Sequence, residues 1–206
     1  MVKVKVCGIT NLRDARRAIA CGSAALGFVF YKKSSRYISP RKARGIIKKL
    51  PRAILKVGVF VDSPQEEVEA IASGCGLDML QLHGAESPEF CGKLKGYKII
   101  KAFRIKKRIA NKELARYKTY AYLFDSYSKR MTGGTGRVFP WGLLRGRDKI
   151  KKPIFLAGGL TGQNVAEAVK RVRPQWVDVS SSVEARPGKK DYNKIKAFMK
   201  ALRQEA

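Results

Sequence analysis

Val2-Lys3-Val4-Lys5-Val6-Cys7-Gly8-Ile9-Thr10-Asn11-Leu12-Arg13 stands near the start of the sequence and carries the pattern that the rest of it repeats. Val and Lys alternate over residues 2–6 with the period of two that marks a β-strand. Thr10 or Asn11 offers a side-chain oxygen to cap a helix opening with Leu12 and Arg13. The stretch therefore reads as strand, turn and helix. A thiol, Cys7, stands on the carboxyl lip of the strand, where α/β proteins place their chemistry. Position alone also suits a small buried residue, because free cysteine is among the most buried residue types.

The same unit recurs along the chain. Strand patterns run over Val2–Gly8, Ala25–Tyr31, Leu55–Val61, Met79–His83, Lys98–Phe103, Ala121–Asp125, Pro153–Ala157 and Trp176–Val179. Ser39-Pro40, Ser63-Pro64 and Ser87-Pro88 read as starts of the second, third and fourth helices, with proline just inside the first turn. Thr161 is expected to open the seventh helix and Asp191 the last. Weaker helical patterns lie around Asn111–Tyr117 and Trp141–Arg147. Eight such units in 206 residues, with no linker composition between them, predict an α/β fold: a single-domain (β/α)8 TIM barrel over residues 1–206. A flavodoxin-like doubly wound sheet is the alternative, but it needs only about five strands.

Composition narrows the class. No apolar run is long enough for a transmembrane helix, and the start lacks the apolar core of a signal peptide. Cys7, Cys21, Cys75 and Cys91 are widely spaced, and His83 is the only histidine. A Cys/His zinc site is therefore not expected, and reduced thiols in a cytoplasmic protein are. The 44 Lys and Arg against 16 Asp and Glu give a formal charge of +28. Such an excess attracts anions in general and raises a nucleic-acid or polyanion reading. The cations form short scattered clusters without an RNA- or DNA-binding signature, so no specific nucleic-acid partner and no membrane are expected.

In a barrel, residues closing the strands converge on one mouth. Here they are Cys7, Arg36 in the loop after strand two, His83, Asp125, Gly158-Gly159, and Asp178 through Glu184. Gly158 and Gly159 allow close backbone approach to a ligand. Ser180, Ser181 and Ser182 add hydroxyls and amides in an expected extra helical turn. The loops after strands seven and eight are a recurrent phosphate site in barrels. Asp125 reads as a carboxylate facing the mouth or as a cap. The fork of Arg36 suits a carboxylate, though a surface cation would look the same in sequence. His83 is placed among substrate-contacting rather than catalytic groups. A glycine-rich loop, Thr132-Gly133-Gly134-Thr135-Gly136, could fold over a ligand; it lacks the P-loop spacing.

Together these residues resemble the phosphoribosylanthranilate isomerase family. The matching stretches include Lys5-Val6-Cys7-Gly8-Ile9-Thr10, Ser35-Arg36-Tyr37-Ile38-Ser39-Pro40 and Leu80-Gln81-Leu82-His83-Gly84. Leu156-Ala157-Gly158-Gly159-Leu160, Val177-Asp178-Val179-Ser180-Ser181, Glu184 and Pro187-Gly188-Lys189-Lys190-Asp191 continue the match in order. The resemblance implies an Amadori rearrangement of N-(5-phosphoribosyl)anthranilate in tryptophan biosynthesis; between a monomer and a homodimer the sequence does not choose. It implies Cys7 as general base, Asp125 as general acid, Arg36 on the anthranilate carboxylate, Asp178 on sugar hydroxyls or amine, and phosphate on the last two loops. Ser182 departs from it: the family usually has glycine there.

The chemistry needs no metal or cofactor, because the substrate nitrogen is its own electron sink. A thiol is only a few per cent thiolate at neutral pH, which neighbouring cations would increase. A carboxylic acid is ionised there unless burial or a hydrogen bond protects its proton. Rival phosphate-binding barrels would show other residues. An indole-glycerol-phosphate synthase calls for a catalytic lysine with glutamates, and a ribulose-phosphate epimerase for a metal with histidines.

Overall fold

Val4 and Val6 of the first strand point outward against Ala15 and Ala18 of the first helix, while Lys5 and Cys7 point into the interior. The Val/Lys alternation is thus a period of two in which both faces are covered, the valines by helices and the lysine by the barrel itself. The computed structural model describes residues 1–126, 140–144, 146 and 150–203. The glycine-rich loop at residues 132–136 lies outside the described residues.

Eight parallel strands close into a barrel in the order of the sequence. They are β1 (Lys3–Cys7), β2 (Ala25–Val29), β3 (Leu55–Phe60), β4 (Met79–Leu82), β5 (Lys98–Ile105), β6 (Ala121–Ser126), β7 (Ile154–Leu156) and β8 (Trp176–Val179). β1 pairs with β2 on one side and β8 on the other, Lys5 lying opposite Asp178. The helices are α1 (Leu12–Ala20), α2 (Pro40–Ile47), α3 (Gln65–Cys75), α4 (Pro88–Lys93), α5 (Asn111–Ala115), α6 (Val165–Val172) and α7 (Tyr192–Arg203). A short β9 (Glu184–Arg186) and β10 (Lys189–Lys190) form an antiparallel ribbon after β8.

The caps follow local chemistry. Asn11 accepts from the Asp14 amide, Ser39 from Lys42, Ser87 from Phe90 and Asp191 from Lys194, each satisfying an orphan helix donor. Three expectations need correction. α3 begins one residue late, with Pro64 at the capping position and no side-chain cap. Thr161 opens only a turn, its hydroxyl accepting from the Gln163 amide, and α6 starts at Val165 after Asn164. In place of a sixth helix at 141–147 there is a 3₁₀ turn, Trp141–Leu144, among the described residues.

The barrel floor is apolar. Val57, Met79, Ile100, Leu123, Phe155 and Trp176 fill it, with the Phe155 and Trp176 rings stacked at 4.9 Å. Polar inward positions occur above this layer, towards the carboxyl ends of the strands.

Candidate active site

Period-two alternation delivers the site. Outward Leu80 and Leu82 leave Gln81 and His83 facing inward; outward Phe124 leaves Asp125, and outward Val177 and Val179 leave Asp178 and Ser180. With Cys7, Arg36, Gly158, Gly159, Ser181 and Ser182 these groups line one cavity at the barrel mouth. All ten residues given a catalytic, substrate or phosphate role from the sequence are brought together there. A roomier cleft of about 670 Å³ lies at the other end, near Met1, Lys3, Trp176 and Arg203. Its described lining has no thiol, carboxylate or histidine, all three of which line the mouth.

Cys7 is 8% exposed and shares an apolar patch with Val29, Val59 and Tyr31. Gly27 of β2 makes room for its sulfur, since a Cβ there would stand 2.6 Å from Sγ. Beneath it, Lys5 is wholly buried and its ammonium donates to Asp178 Oδ1 at 2.9 Å. Burial pulls the Lys5 ammonium down, but the charges of Asp178 and Cys7 outweigh it and hold the ammonium above its ordinary value. Burial pushes the Cys7 thiol up, opposed by the charges of Lys5 and Lys190. Asp178 is likewise pushed up by burial, against the pull of Lys5.

Asp125 receives a hydrogen bond from the Ser126 amide on Oδ1, at 2.7 Å, and its Oδ2 lies 3.2 Å from His83 Nε2. His83 Nδ1 lies 2.7 Å from the Gln81 amide nitrogen. With that nitrogen donating, Nδ1 is an acceptor and the ring proton sits on Nε2, facing an ionised Asp125. Gln81 Oε1 is then buried without a partner. Turning the amide over places Oε1 on an Nδ1–H and leaves the NH2 buried where Oε1 stood, so the two amide orientations correspond to the two tautomers of His83.

Arg36 is buried in the mouth. Its Nε and Nη2 clasp the Glu184 carboxylate at 2.7–3.1 Å, leaving Nη1 without a hydrogen-bond partner among the described residues. Lys190 reaches the same carboxylate at 2.8 Å and the Ser180 carbonyl at 3.1 Å. Burial pushes Glu184 up, but hydrogen bonds from Arg36 and Lys190 overcome it and keep the carboxyl below its ordinary value.

On the far rim, Gly158 and Gly159 adopt φ of +87° and +66°. At Gly158 a side chain would also collide with the Ser126 amide and Asp125 Oδ1, at 2.4 and 2.9 Å. Ser181–Val183 forms the expected extra turn. Two serine hydroxyls are already committed: Ser180 donates to the Cys7 carbonyl and Ser182 to the Leu160 carbonyl. Ser182 is not among the positive-φ residues, so its side chain is unstrained.

The whole-chain comparison decides the family. The model of the N-(5'-phosphoribosyl)anthranilate (PRA) isomerase family matches residues 4–201. The chain belongs to the phosphoribosylanthranilate isomerase family. It is an enzyme, an isomerase of tryptophan biosynthesis. The isomerase of Pelobacter propionicus is 46% identical over 204 residues, covering 99% of this chain and 97% of that one. The isomerase of Geobacter sulfurreducens is 46% identical, over 97% and 98%. Among solved structures, the Thermus thermophilus isomerase superposes with a TM-score of 0.92 at 37% identity, over all of both chains. The Thermotoga maritima isomerase gives 0.91 at 42%, over 99% and 100%.

Four residues of this isomerase's mouth carry contacts that the sequence reading did not assign: Lys5, Gln81, Glu184 and Lys190. Lys5 and Gln81 each stand two residues before a group that was recognised, Cys7 and His83, and so on the same strand face. That spacing was the available signal. Nothing in the sequence pairs Arg36 with Glu184, 148 positions away.

Proposed function

We propose that the mouth converts N-(5'-phosphoribosyl)anthranilate into 1-(2-carboxyphenylamino)-1-deoxyribulose 5-phosphate, with Cys7 as base and Asp125 as acid. The observation that carries this reading is the convergence of a thiol from β1 and a carboxyl from β6 on one cavity rimmed by a glycine turn. A solved isomerase in complex with reduced 1-(o-carboxyphenylamino)-1-deoxyribulose 5-phosphate, TM-score 0.87 at 41% identity over 99% and 100%, supports the ligand class.

Asp125 in its protonated state gives its proton to the ribose ring oxygen as the C1–O bond breaks, and the nitrogen lone pair forms the iminium. That cation acidifies the C2 hydrogen, which passes to the Cys7 thiolate. The C2–H electrons form the enolamine, and tautomerisation gives the ketone. Each positioned proton transfer contributes roughly 10²–10⁴-fold. The remaining edge of the Arg36 fork suits the anthranilate carboxylate, and Val29, Val59 and Tyr31 suit its ring. Asp178 is assigned to the sugar hydroxyls and His83 to positioning Asp125. The amides of Gly158, Gly159 and Ser180–Ser182 are assigned to the phosphate, with the Ser180 and Ser182 hydroxyls bracing the loops. No described helix is long and apolar enough to cross a membrane. Four free cysteines suit a reducing cytoplasm.

The test is loss of substrate fluorescence on adding purified protein. Cys7→Ser and Asp125→Asn should each lose most of kcat while still binding the reduced product analogue. Near-normal kcat in either variant removes that residue from its role.

A further inference from the structure

We infer that Lys5 is a positioning residue for the base: its buried ammonium, paired with Asp178 two positions before Cys7 on the inward face of β1, keeps the thiolate form of Cys7 attainable in a buried site. This rests on the assignment of Cys7 as base.

Lys5 is 0% exposed, and lysine is almost never fully buried unless paired. A buried ion pair is a poor source of stability, since apolar residues of similar volume serve as well or better. Here the inward-facing residues immediately below are apolar, so packing alone could have been completed with a methionine or leucine. The ammonium has three donors. One goes to Asp178 at 2.9 Å, and Cys7 stands two positions on along the same inward face of β1, where the charge of Lys5 acts on its sulfur. A thiolate forming at Cys7 has little water to solvate it, so this fixed cation replaces the missing hydration.

Each packed element contributes a charge. Lys5 of β1 and Lys190 of β10 favour the thiolate, and Asp178 of β8 opposes it. Asp125 and His83 act in turn on Asp178. Lys190 is held by Glu184 and the Ser180 carbonyl, whereas Lys5 shares the inward face of β1 with Cys7 and has the larger effect of the two cations that favour its thiolate. Burial still leaves the thiol above its ordinary value. The role of Lys5 is therefore to limit that rise, and the thiolate in turn helps to hold the lysine charged.

The test needs no substrate. Thiolate absorbance is titrated in the intact protein as a difference from Cys7→Ser, for the wild type, Lys5→Met, Asp178→Asn and the Lys5→Met/Asp178→Asn double variant. The midpoint should rise by about one pH unit or more in Lys5→Met, about a tenfold smaller thiolate fraction at neutral pH. It should fall below wild type in Asp178→Asn and lie between these limits in the double variant, which carries no unpaired carboxylate. Opposite signs are not the outcome of a merely structural pair. The rising limb of kcat/KM against pH should move with each midpoint. Midpoints unchanged in Asp178→Asn and the double variant overturn the inference, whether or not Lys5→Met folds. Midpoints that shift while the kinetic limb stays fixed uphold the role of Lys5 but remove Cys7 as the base.

Discussion

Gly27 on β2 faces Cys7 on β1 so closely that a methyl group on Gly27 would lie 2.6 Å from the sulfur and 3.0 Å from the Cys7 Cα. The neighbouring strand thereby fixes where the sulfur sits. Gly27→Ala must displace either the thiol or the strand. A misplacement of about 1 Å costs roughly 10²-fold in a positioned proton transfer. We expect kcat to fall by about that factor with KM little altered, read from steady-state kinetics. Unchanged kcat would show that the sulfur has slack.

The Gln81–His83–Asp125 line predicts a second kcat effect. Gln81→Met keeps the volume and removes the amide that selects the His83 tautomer. We expect kcat to drop about tenfold, less than the loss of a whole acid–base contribution, and KM to stay within a factor of about two. The acidic and basic limbs of the pH–rate profile should also move relative to wild type. A profile displaced only in height would reduce Gln81 to a packing role.

Ser182 yields a near-silent substitution. Its φ is ordinary and its hydroxyl braces Leu160, so Ser182→Gly leaves the backbone amide available. KM should remain within a factor of about two. Stability should fall by about 1 kcal/mol from the lost hydrogen bond and added chain entropy, measured by denaturant melts. A tenfold lower KM would mean that the serine costs phosphate affinity.

Glu184 predicts a dependence on acid. Its folded value is depressed below the ordinary 4.5, so its stabilisation is complete above that value and is lost as pH falls through the folded value. Glu184→Gln removes a buried charge held by Arg36 and Lys190 and should cost about 2 kcal/mol at pH 7. The gap in melting temperature between wild type and variant should narrow as pH drops below about 4.5. KM should rise as well, because Arg36 loses its anchor. A gap that is constant with pH would exclude the titration of Glu184 as its source.

The barrel itself was legible because each strand–helix unit carries its own periodicity and most of its own cap. What misled was the boundary chemistry. Ser63-Pro64 and Thr161 look like helix starts, yet Pro64 and Asn164 hold the capping positions. Cys7, Asp125 and the glycine turn were legible as strand ends. The partners of Arg36 and Asp178 were not. Glu184 reaches Arg36, and Lys5 reaches Asp178, only through barrel closure across 148 and 173 positions. Lysine in a Val/Lys alternation also reads as a solvent face until both faces of the strand are known to be covered.

The stacked rings of Phe155 and Trp176 and the apolar layer around them make the barrel a cup rather than a pipe. Traffic is single-ended: whatever enters past Arg36 and the glycine rim must leave by the same aperture. The spent molecule therefore occupies the doorway that the next one needs. Inhibition by product should be purely competitive, and a bulky group tethered at the rim should slow entry and exit together.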